Sequence, residues 1–214
     1  MKRLRISNRG LVNSLIVLFC VTIAITFLTP LEQTLGGNLR LVYLHGAWVW
    51  TGIVTFCGAG ILGLIALLLR NQTLHAWSRA AGWTGLCFWV TYLPMSLAVM
   101  QINWNGLFFD EPRWKVPFTF AVIGILLQAG LLFINIPWMT SLANTGFASA
   151  LMFNLIRMDS VLHPDSPVFS SGSSGIKLIF IFLLTSTIIM SVVLSLLWIR
   201  YFPWKASVPS EKEI

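Results

Sequence analysis

Five long apolar runs set the limits on what this chain can fold into. They cover residues 11–29, 41–69, 80–101, 116–134 and 176–201 of a 214-residue chain. A membrane-spanning helix needs about 20 apolar residues to cross roughly 30 Å of hydrocarbon. Inside a bilayer the backbone must also satisfy its own hydrogen bonds, as a helix does. The runs therefore predict a single all-α membrane domain that occupies residues 1–214.

Composition and charge agree with this class. Hydrophobic residues make up 57% of the chain and charged residues only 10%, whereas a soluble domain carries about 25% charged residues. The formal net charge is +7, but the cations are scattered at the ends of the apolar runs and form no patch for a nucleic acid. Such a basic excess is typical of the cytoplasmic loops that fix the orientation of a membrane protein.

A sixth segment, residues 138–158, is apolar but contains several asparagines and threonines. If the N-terminus is cytoplasmic, most of the flanking lysines and arginines also lie inside, as the positive-inside rule requires. Nearly all the acids then lie outside, namely Glu32, Asp110, Glu111, Asp159 and Asp165. Both termini are cytoplasmic only if the number of crossings is even. The sequence therefore predicts six transmembrane helices, five strong and one polar, with both termini in the cytoplasm.

One glycine-rich motif has two interpretations. Residues 58–63 read Gly-Ala-Gly-Ile-Leu-Gly, a pattern that marks a dinucleotide site when it follows a strand. Here it lies in the middle of a predicted membrane helix. Small residues at that depth let helices approach closely, so the motif predicts helix packing.

Two of the three histidines are candidate ligands. On the predicted topology His45 and His163 lie at the outer face, and His75 lies in an inner loop, where we expect a solvated side chain. Neutral imidazole is a common ligand of haem iron, and two imidazoles on opposite sides of a porphyrin make a six-coordinate site. The alternative is that they are two unrelated histidines at the membrane interface.

An aromatic outer segment lies between the third and fourth runs, at residues 103–115. Tryptophan is common at membrane interfaces for structural reasons alone. Aromatic faces could also cover a porphyrin, while Arg113 or Lys115 pairs with a propionate. We expect Asp110 to cap the loop or to pair with Arg113. The candidate aromatic residues are Trp104, Phe108, Phe109 and Trp114.

The order of these parts resembles that of the CcmC-type cytochrome c assembly proteins, a family of membrane haem handlers. Residues 41–48, Leu-Val-Tyr-Leu-His-Gly-Ala-Trp, resemble the family's IYLHVPAAxW segment and add Trp48 to the candidate site. Residues 104–113 resemble its WGxxWxWDxR loop, with Phe108 and Phe109 where the family has tryptophans. The resemblance covers roughly residues 40–165 and includes Leu162-His163.

This resemblance implies that the chain binds haem b, with His45 and His163 as axial ligands at the outer face. It implies handover of the haem to a periplasmic haem chaperone, in association with ABC-transporter subunits. The implied activity is haem delivery, not covalent catalysis. An alternative is a haem-carrying or structural membrane subunit of a respiratory or photosynthetic electron-transfer complex.

Overall fold

The computed structural model describes residues 7–29, 37–158, 168 and 172–201, and these form a bundle of helices. The described residues contain no strand, which confirms the all-α class. Each predicted segment falls on one helix and extends past the end of that helix by at most one residue. The helices are α1 (Asn8–Leu28), α2 (Leu39–Leu69), α3 (Gln72–Trp104), α4 (Pro112–Ile134), α5 (Pro137–Arg157) and α6 (Ser174–Tyr201).

Five of the helices in the described part of the chain are long and apolar enough to cross a membrane. The exception is α5, which is 21 residues long but has the polar composition that the sequence shows. The chain is therefore a multi-pass membrane protein with at least these five candidate spans.

Successive helices run in opposite directions, so the bundle has two ends. We call one the His45 end, where α2, α4 and α6 begin, and the other the His75 end, where α3 and α5 begin. At the His75 end, the Arg200 guanidinium donates to Asn8 Oδ1 at 3.2 Å and thus joins the end of α6 to the start of α1.

The centre of the bundle is formed by α2 and α3, which pack against each other and against both α5 and α6. An aromatic cluster lies between α2, α3, α4 and α5. In it the Trp89 indole N–H donates to the carbonyl of Pro117 at 3.0 Å, and the Phe56 ring lies 4.8 Å from the ring of Phe147. This cluster forms the packed interior below the His45 end.

The prediction that His75 is solvated in a loop is wrong. The turn before α3 is only two residues long, because Arg70 takes a left-handed conformation and Asn71 caps the helix by accepting from the backbone N–H groups of Thr73 and Leu74. Helix α3 therefore begins early and includes His75. Its side chain is buried, and Nδ1 lies 2.6 Å from Ser141 Oγ of α5.

The same end of the bundle contains a chain of buried polar side chains. Gln128 Nε2 donates to Asn144 Oδ1 at 2.8 Å, and Asn144 Nδ2 donates to the carbonyl of Ser78 at 2.9 Å. Ser78 Oγ donates in turn to the carbonyl of Ala59 at 2.8 Å. These bonds connect α4, α5, α3 and α2, and they satisfy polar groups that would be costly to leave unpaired in an apolar interior.

The glycine motif packs helices, as predicted, at two of its three glycines. A Cβ on Gly60 would lie 2.8 Å from the Ala148 Cβ, and one on Gly63 would lie 2.6 Å from the carbonyl oxygen of Ser141. Both glycines therefore let α2 approach α5. Gly58 meets no atom within 4 Å, so it has no such role.

Candidate cofactor site

A cavity of about 400 Å³ lies at the His45 end. It is lined by α2 and α3, by the first turns of α4, by the end of α5, by Val168 and by Phe180 of α6. Its lining is predominantly apolar and aromatic. Ligand sites in proteins are commonly about 300–1,000 Å³ and have such a lining with a few polar groups, so this cavity has the size and character of a small-molecule site.

Three of the predicted site residues line this cavity, namely His45, Trp104 and Arg113. His45 comes from the second turn of α2, Trp104 is the last residue of α3, and Arg113 lies in the first turn of α4. The His45 ring is tilted by 57° to the ring of Tyr92, with 5.6 Å between centroids. Residues that are distant in the sequence thus converge on one space.

The turn between α3 and α4 explains this convergence. Asn105 ends α3 in a left-handed conformation, with a φ of 50°. The carbonyl of Glu111 then accepts the backbone N–H groups of Trp114 and Lys115, both at 2.9 Å, and Pro112 occupies the first turn of α4. Because proline has a fixed φ and no N–H to satisfy, it suits this position. The chain reverses within a few residues and returns Arg113 to the His45 end.

Asp110 pairs with Lys115, so of the two roles predicted for it the pairing with Arg113 is wrong. The Lys115 Nζ donates to Asp110 Oδ1 at 3.0 Å, and both side chains are exposed. An ion pair in such a position contributes little to stability. The consequence for the site is that Arg113, and not Lys115, is the cation at the cavity wall.

Trp48 lies outside this cavity. Its indole N–H donates to Thr91 Oγ1 at 2.8 Å, and its ring centroid is 4.9 Å from that of Phe88. It lines a separate apolar groove with Phe19 of α1 and Met190 of α6. The structure therefore gives Trp48 a packing contact between α2 and α3.

The remaining aromatic candidates, Phe108, Phe109 and Trp114, are absent from the cavity wall that the described residues form. Phe109, Trp114 and Phe118 make a row, with centroid separations of 6.0 and 5.9 Å. Phe108 lies edge-on to Trp104, with 6.5 Å between centroids. His163 lies outside the described residues, so its predicted role stays a prediction.

Sequence reasoning missed two polar groups of the cavity wall. Glu111 is only 5% exposed although it sits in a loop, and Tyr92 is 3% exposed. Acids are seldom buried, so Glu111 adds an uncommon buried carboxylate to the cavity wall. Its position just before Pro112, at the start of a helix, is the only signal in the sequence.

The wall residues fit a haem. Haem iron takes an imidazole ligand, the macrocycle suits apolar and aromatic surfaces, and its propionates suit an arginine. His45, Trp104 and Arg113 supply one of each. In the described residues no group of three or more His, Cys, Asp or Glu side chains could hold a bare metal ion. Met100 and Met158 also line the cavity and add soft, polarizable surface.

No model of a known protein family matches the chain, and no curated protein sequence matches it. The resemblance to the haem-handling family therefore rests on short segments of residues 40–165, of which 41–48 and 104–113 are the longest.

Proposed function

We propose that this chain is a haem-binding membrane protein of cytochrome c biogenesis. The observation that supports this best is the cavity at the His45 end, whose wall combines an imidazole, an arginine and aromatic rings. These are the groups that a porphyrin with two propionates requires. The same residues occur in the segments that resemble the haem-handling family.

In this proposal each residue has a defined task. His45 holds the cofactor as one axial ligand, and His163 is proposed as the second on the sequence pattern. Trp104 covers an edge of the ring. Arg113 orients the cofactor by donating to a propionate, a charge-assisted bond worth about 1.5–3 kcal/mol. Haem b, when bound, supplies the iron and the two carboxylates that these side chains recognise.

The proposal includes a topology with six crossings and both termini in the cytoplasm. Two observations support it. The N-terminal half of α5 contacts His75 through Ser141, whereas Leu155 and Met158 at its other end line the cavity. Helix α5 therefore extends between the two ends of the bundle. The charge distribution supports a cavity on the periplasmic side of a bacterial or archaeal inner membrane.

Delivery requires partners, and we propose a periplasmic haem chaperone and ABC-transporter subunits. A second candidate function is a haem-carrying subunit of a respiratory or photosynthetic complex. The rings of Phe109 and Phe118, which are 53% and 48% exposed, favour this alternative. They lie away from the cavity wall, so a neighbouring subunit can bind there while the haem stays in place.

A spectrum of the purified protein tests haem binding. Protein from haem-replete cells should show a low-spin haem spectrum, since two imidazoles give a strong ligand field. His45→Ala and His163→Ala should each abolish or broaden it, and added imidazole should partly restore it. His75→Gln is the matched control, because glutamine can still bond to Ser141. Absence of haem, or an unaltered spectrum in both outer variants, would contradict the ligand assignment.

Production of c-type cytochromes in cells separates delivery from retention. Trp104→Ala combined with Phe109→Ala should leave haem bound, since the axial bonds remain, but should lower cytochrome output. Trp138→Ala, at the His75 end, is the control. If output is unchanged by the double variant and by His45→Ala as well, the subunit function replaces the delivery function.

A further inference from the structure

One face of α2 has no helix against it. Along this face lie Trp50, Val54, Ile61 and Leu68, which are 47%, 45%, 60% and 74% exposed. Their spacing places them on one side of a helix. In a membrane protein, large apolar side chains in such a stripe face the hydrocarbon.

Two helices border this stripe without meeting each other. On one side α5 packs against α2, where Thr145 Oγ1 donates to the carbonyl of Gly60 at 2.9 Å. On the other side α6 packs against α2, where Thr51 Oγ1 lies 2.7 Å from Thr187 Oγ1. Both helices are fully described, and no Cα atom of one lies within 8 Å of a Cα atom of the other. A gap therefore runs between α5 and α6.

The cavity lies at the His45 end of this gap. Its wall includes Leu155 from α5 and Phe180 from α6, the two borders, and Trp50 from the exposed stripe between them. Trp50 thus lines the cavity and is also exposed on the apolar surface. Gly46, near Trp50, also lines the cavity and faces the Phe180 ring.

We propose that the cavity opens sideways into the bilayer between α5 and α6, with Trp50 at the opening. The opening itself follows from the geometry of these helices. The molecule that passes through it is a planar, largely apolar compound with acidic groups, and its identification as haem rests on the proposed function. Such a molecule partitions into lipid, so a lateral opening lets it reach His45 without leaving the membrane, with its carboxylates toward Arg113.

Photolabelling in vesicles tests the opening. The full chain is reconstituted in phosphatidylcholine vesicles that contain a lipid-soluble aryl diazirine, which is activated by light, and labelled residues are located by mass spectrometry. Val54 and Ile61 should be labelled as lipid-facing positions. If the opening exists, Ser96 and Val99 inside the cavity should be labelled too, although they are only 8% and 6% exposed. Ser195 is the matched control, a serine that is 5% exposed and bonded to Thr84 away from the cavity.

Two variants, tested in the same labelling experiment, locate the opening. Trp50→Ala should raise the labelling of Ser96 by the lipid-soluble reagent but not by a water-soluble diazirine. Trp138→Ala removes a similarly exposed tryptophan from the His75 end and should leave the labelling of Ser96 unchanged. The lateral opening is overturned if the cavity residues stay unlabelled while Val54 is labelled. It is also overturned if Trp50→Ala does not change the labelling of Ser96.

Added haemin separates this inference from the proposed function. Haemin in the vesicles should cause a loss of labelling at Ser96 and none at Val54. If Ser96 is labelled and haemin gives no protection, the lateral opening is supported, but haem is not the molecule that passes through it. If Ser96 is never labelled although the protein binds haem with a low-spin spectrum, the haem site stands and the opening is overturned.

Discussion

Replacing Gly63 by alanine should destabilise the bundle, because the contact between α2 and α5 leaves no room for a methyl group. The added Cβ would lie 2.6 Å from the carbonyl oxygen of Ser141 and 3.0 Å from both Ser78 Oγ and Thr145 Oγ1. Ordinary contact begins at 3.4 Å. The nearest atom belongs to the backbone of α5, so it cannot rotate away and the helices must separate.

The magnitude follows from overpacking and from a control in the same helix. Inserting a methyl group into a packed interior costs about 1–3 kcal/mol. Gly58→Ala meets open space five residues earlier and should gain up to about 1 kcal/mol from the better helix propensity of alanine. Gly63→Ala brings the same gain in helix propensity, so this gain cancels in the comparison. The free energies of unfolding of the two variants should therefore differ by the overpacking cost, about 1–3 kcal/mol.

Reversible unfolding in mixed detergent and dodecyl sulfate micelles, followed by tryptophan fluorescence, measures this difference. Separation of α2 from α5 should also weaken the bond between His75 and Ser141, which lies beside the substituted position. Equal stabilities for Gly63→Ala and Gly58→Ala would refute the close approach of α2 to α5, and with it the packing role of the glycine motif.

Three other predictions concern the cofactor, the polar network and the topology. Arg113→Gln should weaken haemin binding about 10- to 150-fold in a spectral titration, the equivalent of one charge-assisted bond, whereas Lys115→Gln should leave it unchanged; equal effects would contradict the position of the arginine. Asn144→Leu should lower unfolding stability by about 0.6–1.7 kcal/mol per lost interhelical bond, and an unchanged stability would show that the network contributes nothing. A reporter fused after Ile214 should be active only in its cytosolic form and one at Ser171 only in its exported form; an exported C-terminus would rule out six crossings.

The helices could be predicted from the sequence because hydrophobic length is a strong signal. The error at the start of α3 has a local cause. Residues 72–79 are polar enough to resemble a loop, but Asn71 caps the helix and satisfies its first N–H groups. Hydropathy does not detect a cap, so the buried position of His75 was missed.

The candidate site was predictable in part. The alternation of helix direction is enough to bring His45, Trp104 and Arg113 to one end. It does not determine which way each side chain points around its helix, and for this reason Trp48, only one turn from His45, contacts α3 instead of the cavity. The position of Glu111 before Pro112 indicates a helix start, but it does not reveal that the side chain is buried at the cavity wall.

The polarity of α5 has an explanation that hydropathy alone does not provide. Three of its polar residues bond to neighbouring helices: buried Ser141 to His75, buried Asn144 to Ser78 and Gln128, and half-buried Thr145 to the carbonyl of Gly60. A polar group that is satisfied within the bundle need not be solvated by water, and interhelical bonds of this kind hold membrane helices together. Hydropathy scores each residue as if it faced lipid, so it underestimates a helix of this kind. The bonds of α5 therefore support the proposed sixth crossing, and the glycines of α2 supply the close approach that these short polar side chains need.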